Sequence, residues 1–441
     1  MKLTTGTRNN RPVFVAVSTY EERTIPKSAG FWWDPEARRW WTGDPAIASK
    51  LSEVADDAAK VELARATAQV EASQRASAEI DIPRPDGLDY LPFQKAGIAY
   101  ALEREAVLIG DEMGLGKTIQ ALGVLNSTPP DRLRNVLVIC PASLKINWKR
   151  ETEKWLVHDM PVRIVNGAGI GPGINIVNYD VLGKFSAIKE IEWDVLIVDE
   201  AHFLKNSKSL RSKHVYGSKK RDKDQIAPIR AKRKLFLTGT PIVNRPIELF
   251  PIINYLRPDE FGSFWTYAKR YTGAVYTRFG TDFSGATNLD ELQLRLRRVL
   301  MVRRLKEDVL RELPPKIRQV VEVSANGCES TVRREREAWS FHQERLETLR
   351  VNAELAKAGS EEDYRAAVDA LRDGARSAFT EIAKARHDTA VAKIPYVIEH
   401  LQEALEEHDK MVVFAHHHDV IDAIHARSEE RRVGKECTIQ C

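Results

Sequence analysis

The sequence predicts an α/β protein: a parallel sheet covered by helices on both faces, preceded by a small α+β module and followed by helices and the opening of a second α/β unit. From Tyr90 onward, short apolar runs alternate with helical stretches, namely AVLIG (106–110), VLVIC (136–140), INIVN (174–178), DVLIVDE (194–200) and KLFLTG (234–239). Continuous apolar strands are buried on both faces, which is the parallel-sheet pattern. Each run also ends in polar or glycine-rich residues, where such sheets place their ligands. At 441 residues the chain exceeds the roughly 250–300 residues at which a single core stops growing, so two or three domains are expected.

Residues 1–50 read as a small module, because VFVAV (13–17) alternates as a strand does and FWWDPEARRWW (31–41) concentrates four of the nine tryptophans. Between Asp44 and about Ile80 the chain is rich in Ala, Glu, Lys and Gln, with no Gly and no Pro after Pro45. That composition predicts one helical connector, assigned to 51–85 and ended by Pro83 and Pro85. Residues 86–322 form the sheet-bearing unit with a helical extension. Residues 323–393 are charged, Ala-rich and almost free of Gly and Pro, which predicts long helices. KMVVFAH (410–416) reads as a strand opening a second α/β unit over 394–427, and 428–441 is a tail.

Hydrophobic residues make up 43% and charged residues 29% of the chain, a globular balance that argues against general disorder. No apolar run approaches the length of a spanning helix, and MKLTTGTRNNRPVF lacks a signal core. The expectation is a cytoplasmic, monomeric protein of prokaryotic or phage type, associated with the nucleoid rather than nuclear. Cys140, Cys328, Cys437 and Cys441 show no paired metal spacing and read as reduced thiols. A net charge of +4 says little about nucleic acid, but twelve Lys and Arg between Lys205 and Lys234 face only Asp222 and Asp224. Such a cluster is either a polyanion footprint or a solvated loop.

The strongest chemical signal is VLIGDEMGLGKTIQAL (107–122), a buried strand, a glycine-containing loop, then Lys-Thr opening a helix. Backbone N–H groups and the helix dipole would hold a phosphate there, with Lys117 on the terminal phosphates and Thr118 on magnesium. The general pattern would put glycine where Asp111 stands, and a structural glycine turn is the bland alternative. DVLIVDEAH (194–202) ends an apolar strand in two acids. Asp199 would hold magnesium, and Glu200 would orient and deprotonate the attacking water. In LFLTGTPIVN (235–244), Thr238 and Thr240 flank Gly239, where their hydroxyls would sense the γ-phosphate. Gln94 offers an amide to an adenine edge.

With those motifs in that order, the chain resembles the superfamily-two helicases and, more narrowly, their Swi/Snf branch. The branch residues are DEMGLGKT (111–118), CPASLKINWKRE (140–151), DEAHFLKN (199–206), TGTPIVN (238–244) and MVRRLKEDVLRELPPK (301–316). Within the branch, NRPIELFPII (244–253), DFSGATNLDEL (282–292) and KIPYVIEHLQEAL (393–405) followed by VVFAHHHDVIDAI look most like the HARP-type annealing-helicase subgroup. The resemblance implies a RecA-like, two-lobed motor that hydrolyses ATP with magnesium and steps on duplex or forked DNA without sequence preference. Its ATP site would comprise Gln94, Asp111, Glu112, Met113, Gly114, Leu115, Gly116, Lys117 and Thr118. Lys117, Asp199 and Glu200 would be catalytic, Thr118 and Asp199 metal-binding, and His202, Thr238, Gly239 and Thr240 coupling residues. Lys145, Asn147, Lys205, Asn206, Arg303, Arg304 and Lys306 become candidates for DNA contact.

FWWDPEARRWW is similar to a Trp-containing segment that helps the family bind forked DNA. The tryptophans either form the core of a small fold or, with Arg38 and Arg39, present a ring to DNA. The histidines at 416–418 align with a strand of the second lobe and are not read as metal ligands, since strand neighbours point to opposite faces. SEERRVGKECTIQC (428–441) departs from the family, so a truncated or misassembled frame and slow turnover are expected. A nonhydrolysing DNA-binding or regulatory module remains the alternative function, and the motifs do not separate DNA from RNA.

Overall fold

The computed structural model describes residues 1–8, 11–165, 169–218, 225–241, 245–277, 280–314, 317–321, 329–356, 360–408 and 410–429. They fall into two compact units, 1–314 and 315–441.

The first unit begins with an antiparallel sheet of β1 (Lys2–Arg8), β2 (Arg11–Val17), β3 (Trp32–Asp34) and β4 (Arg39–Thr42), in the order β1-β2-β4-β3. Helix α1 (Thr24–Ala29) leads into β3, and α2 (Pro45–Ala48) follows β4. Alternation in VFVAV turns Phe14 and Ala16 into a core shared with Leu3, Phe31, Ile47 and Leu51. FWWDPEARRWW becomes the β3–β4 hairpin, whose turn is held by the Asp34 carboxylate accepting from the N–H groups of Glu36 and Ala37, both at 3.1 Å. Trp40 packs against the module's core, whereas the other three tryptophans are not among its core residues. Trp32 and Trp33 are 56% and 49% exposed, the Trp33 and Trp40 rings lie 5.3 Å apart, and the Arg8 guanidinium covers Trp41 at 4.0 Å.

The single connector helix is broken. A 3₁₀ segment over Ser49–Val54 has Leu51 outside helical geometry, and extended Ala55 bridges Leu3 before α3 (Asp57–Ala72) starts. The Asp56 carboxylate caps α3 through the Ala59 N–H at 2.9 Å. Pairing with the small sheet thus outweighs helix propensity at 55–56.

The main sheet contains β5 (Ala106–Ile109), β6 (Asn135–Cys140), β7 (Val162–Ile164), β8 (Gly173–Asn178), β9 (Glu192–Val198) and β10 (Arg230–Leu237). A separate hairpin, β11 (Val275–Thr277) with β12 (Gly280–Asp282), precedes the seventh strand, β13 (Met301–Val302). All pairs in the order β13-β5-β10-β9-β6-β8-β7 are parallel. On one face α4 (Pro92–Leu102), α5 (Lys117–Asn126) and α6 (Lys145–Trp155) pack Ile98, Ala121 and Trp148 over Val107 and Val138. The other face is covered by α7 (Ala187–Glu190), α8 (Leu210–Tyr216), α9 (Phe250–Leu256), α10 (Phe264–Tyr271) and α11 (Leu289–Val299). Their Ile188, Val215, Ile253, Tyr267 and Leu296 meet Leu108, Leu196 and Phe236. After β13 comes the single turn α12 (Lys306–Val309). This is the expected doubly covered parallel sheet.

The second unit holds α13 (Glu329–Ala356), α14 (Glu361–Glu407) and α15 (His418–Glu429). The strand expected at 410–416 does not form: the described residues there are irregular, with Val412 78% and Phe414 92% exposed. A strand needs a neighbour for its backbone bonds, and the described residues of this unit include no strand to pair with. Among the described residues no helix is long and apolar enough to cross a membrane.

Candidate nucleotide site

The site follows from strand order. β5, β10 and β9 are neighbours running the same way, with Ile109 beside Leu237 and Val198 beside Phe236. The phosphate-type loop after β5, the TGT turn after β10 and the acids after β9 therefore emerge side by side at one edge.

The loop from Gly110 to Gly116 has left-handed glycines at Gly114 (φ +89°) and Gly116 (φ +71°), and Gly116 caps α5. A side chain at Gly116 would place its Cβ 2.4 Å from Gln94 Nε2, so glycine is also required for the close approach of α4. Lys117 Nζ lies in the loop, donating to the carbonyls of Asp111 at 3.1 Å and Glu112 at 3.4 Å. Burial lowers its pKa, opposed by the charges of Glu200, Asp111 and Asp199. Thr118 is half-buried in the first turn of α5, Met113 is exposed and Leu115 fully buried.

Asp199 is held from both sides. Its Oδ2 accepts from the Trp148 indole N–H at 2.8 Å and its Oδ1 from the Glu200 N–H at 2.9 Å, while the Tyr179 hydroxyl donates to its main-chain carbonyl. Burial pushes the Asp199 carboxyl above its usual range, against those hydrogen bonds and the nearby Lys117 and His202. A desolvated carboxylate beside a desolvated ammonium suits a magnesium-bound nucleotide, whose cation would favour ionised Asp199 and whose phosphates would favour charged Lys117. Glu200 sits in the left-handed region (φ +48°, ψ +51°), a conformation costing a non-glycine residue of order 1–3 kcal/mol. Its Oε2 is 3.1 Å from His202 Nδ1, which lies 3.4 Å from Thr238 Oγ1, and that hydroxyl accepts from the Thr240 N–H at 3.2 Å. A continuous polar path thus joins the acids to the TGT turn. A Cβ at Gly239 would come within 2.6 Å of Met113 Cγ and 3.4 Å of Lys117 Nζ, so this turn rests directly on the loop. Ile242, Val243 and Asn244, which end that motif, lie outside the described residues.

The structure corrects the assignment of Arg304 to DNA and shows Arg303 and Lys306 beside the loop. Arg304 is 2% exposed and ion-paired with the fully buried Asp111, so it has no surface to offer DNA, and the Asp111 carboxylate is taken up by that pair. Arg303 Nη1 donates to the carbonyls of Gly110 at 2.8 Å and Gly239 at 3.4 Å. The Lys306 ammonium lies over Gly114, 3.3 Å from where a Cβ would stand, and its N–H donates to Glu112 Oε2 at 2.7 Å. All three gather about the nucleotide loop because β13 pairs with β5. Lys145 is half-buried and Asn147 exposed on α6, Lys205 pairs with Glu248 at 3.2 Å, and Asn206 is exposed. Of the basic 205–234 stretch, Lys232 is tied to Asp194 at 2.8 Å and Arg233 to the Leu102 carbonyl, while residues 219–224 lie outside the described set. Trp148, Tyr179 and Gln120 were not read as site residues from sequence. The one available signal was a tryptophan inside the otherwise polar helix KINWKRE.

Residues 93–357 match the family described as SNF2-related domain. The chain is 34% identical over 359 residues to the SWI/SNF-related matrix-associated actin-dependent regulator of chromatin subfamily A-like protein 1 of Xenopus tropicalis, covering 78% of this chain and 34% of that protein. It is 38% identical over 248 residues to the human DNA annealing helicase and endonuclease ZRANB3, covering 52% of this chain and 22% of that protein. The Sulfolobus solfataricus SWI2/SNF2 ATPase core in complex with dsDNA superposes with a TM-score of 0.45 at 21% identity, covering 81% of this chain and 72% of that one. The chain spans about a third of the length of the first of these relatives. These relatives overturn the expectation of a cytoplasmic protein of prokaryotic or phage type. The relatives matched by sequence come from vertebrates, a nematode and an insect and are named for chromatin, a nuclear structure, and for DNA annealing. Over more than half its length, this chain belongs to the SNF2-related domain family.

Proposed function

We propose that the first unit is the nucleotide-binding lobe of an ATP-driven motor that acts on duplex or forked DNA, as an annealing helicase or DNA-repair translocase. The observation that carries this is the convergence of Lys117, Asp199, Glu200 and Thr238 at the ends of three adjacent strands. Lys117 and the loop N–H groups bind the terminal phosphates, and the buried Lys117 ammonium meets the charge that develops on the γ-phosphoryl group. Thr118 and Asp199 hold magnesium, which when bound screens the phosphate oxygens. Glu200, aimed by its unusual backbone and by His202, orients the attacking water and accepts its proton. Loss of the γ-phosphate is felt at Gly239 and Thr238, which touch the loop and the acid side respectively. Gln94 uses one N–H of its amide on Leu115 and one lone pair on the Leu91 N–H, so a second of each is left for an adenine edge.

Lys145, Asn147, Lys205 and Asn206, together with Trp32, Trp33, Arg38 and Arg39, are the residues we assign to DNA. Phosphate contacts give sequence tolerance and salt dependence, and exposed rings add stacking at single-stranded ends. The protein acts as a monomer in this reading. A nonhydrolysing module is disfavoured, since both acids and the lysine are held in working relation. The test compares Glu200→Gln with wild type: nucleotide binding should persist while DNA-stimulated hydrolysis falls at least a hundredfold. Equal hydrolysis rates would remove Glu200 from the mechanism.

A further inference from the structure

Asp111 stands where phosphate loops usually carry glycine, and its carboxylate is used entirely beneath the loop. Arg304 meets it through three bonds: its backbone N–H to Oδ1 at 2.9 Å, its Nε to Oδ1 at 3.1 Å, and its Nη2 to Oδ2. Gln120 closes the ring, accepting from Arg304 Nη2 at 2.9 Å and donating to Asp111 Oδ2 at 2.9 Å. The remaining guanidinium nitrogen, Nη1, donates to the Phe93 carbonyl. Space for this arrangement is made by Gly97, where a Cβ would fall 2.0 Å from Gln120 Oε1 and 2.5 Å from Arg304 Nη2.

Each partner is one step from a nucleotide-facing group. The Asp111 carbonyl receives Lys117 Nζ. Phe93 precedes Gln94, whose amide reaches the Leu115 carbonyl at 3.5 Å, and Gln120 donates to that same carbonyl at 3.4 Å. Both ends of the loop, the helix bearing Gln94 and the helix opened by Lys117 therefore converge on one guanidinium.

We propose that Arg304 is a positioning residue of the nucleotide site. It locks the phosphate loop and α4 into one register, so that Lys117 and Gln94 address the two ends of the same nucleotide, and Asp111 replaces glycine because its carboxylate is the anchor. The inference rests on the nucleotide-site reading above.

A purely structural ion pair makes a different forecast. Removing one partner of a buried pair strands a charge whereas removing both does not, so the double variant Asp111→Asn with Arg304→Gln should melt above either single variant. If the pair only glues the fold, nucleotide affinity returns with stability. If Arg304 positions the loop, affinity stays low. Titration of the full chain with a fluorescent ATP analogue, beside thermal melts, separates the two. Arg304→Lys keeps the charge but gives up the fork that spans Asp111, Gln120 and Phe93. Losing one charge-assisted bond corresponds to a rise of about tenfold or more in Kd. A folded Arg304→Lys or double variant that binds nucleotide as wild type does overturns the proposal. If neither variant folds, the pair is a folding element and the positioning role is rejected. Wild type and Lys117→Ala are the reference: if wild type binds no nucleotide, the site reading itself fails, whereas wild-type binding matched by the Arg304 variants sinks only this inference.

Discussion

Replacing Trp148 with Phe tests how Asp199, the acid proposed above to hold magnesium, is positioned. The indole is 1% exposed and donates to Asp199 Oδ2 at 2.8 Å. Phenylalanine keeps most of the packing and deletes the N–H. The smaller ring should cost about 1 kcal/mol of stability through the void it leaves. The lost bond to a charged group is worth about 1.5–3 kcal/mol, and removing a partner of a metal ligand typically weakens metal affinity about 10–100-fold. With Trp148 gone, Oδ2 loses its N–H donor, and the carboxylate is free to rotate about its remaining Glu200 N–H contact. The assay is binding of a fluorescent ATP analogue at fixed nucleotide while magnesium is varied, with a thermal melt on the same sample. Magnesium half-saturation should rise at least tenfold, while binding without magnesium stays near wild type. A folded Trp148→Phe protein whose magnesium dependence lies within twofold of wild type would refute the argument. Tyr179→Phe, which removes a bond to the Asp199 carbonyl rather than its carboxylate, should produce a smaller shift.

Two further outcomes follow from backbone geometry and from burial. Gly116→Ala forces a side chain into the left-handed region and against Gln94, so calorimetry should record a loss of about 1–3 kcal/mol and nucleotide binding should weaken in parallel; an unchanged melting temperature would contradict the crowding. Lys189 is half-buried, its ammonium on the His214 carbonyl, and burial pulls its pKa down from 10.5 to about 8. Between pH 8 and 10.5 the unfolded chain then binds the extra proton, so stability rises with pH across that window and the penalty of a buried charge is fully present below it. Lys189→Met should thus be more stable than wild type at pH 7, with the difference narrowing from pH 8 to 10.5 in denaturant titrations; a constant difference would show that charge burial is not the cause.

The parallel sheet and the three loops of the site were legible because each is local. A run such as VLIVDE carries its own period and its own punctuation. Arg304 was illegible for the opposite reason. An arginine in MVRRLKEDVL reads as a cation seeking an anion, and the anion proved to be Asp111, 193 residues away, brought near by a strand of two residues, β13, too short to register as a pattern. Trp148 likewise acquires its role from Asp199 across 51 residues. Lys232 and Arg233 looked like part of a nucleic-acid footprint, yet Lys232 neutralises Asp194 and Arg233 meets the Leu102 carbonyl. The strand foreseen at 410–416 failed because apolar residues state a preference for burial, while a strand also requires a neighbour to bond with.

The Arg303 guanidinium has a mechanical consequence. One planar group grips the Gly110 carbonyl at the root of the phosphate loop and the Gly239 carbonyl in the TGT turn, so the two cannot drift apart without breaking a bond to a full charge. Loop and turn behave as a single jaw hinged on the ends of β5 and β10. On the function proposed above, a nucleotide binding there is expected to shift loop and turn together and so to pull on the ends of both β5 and β10.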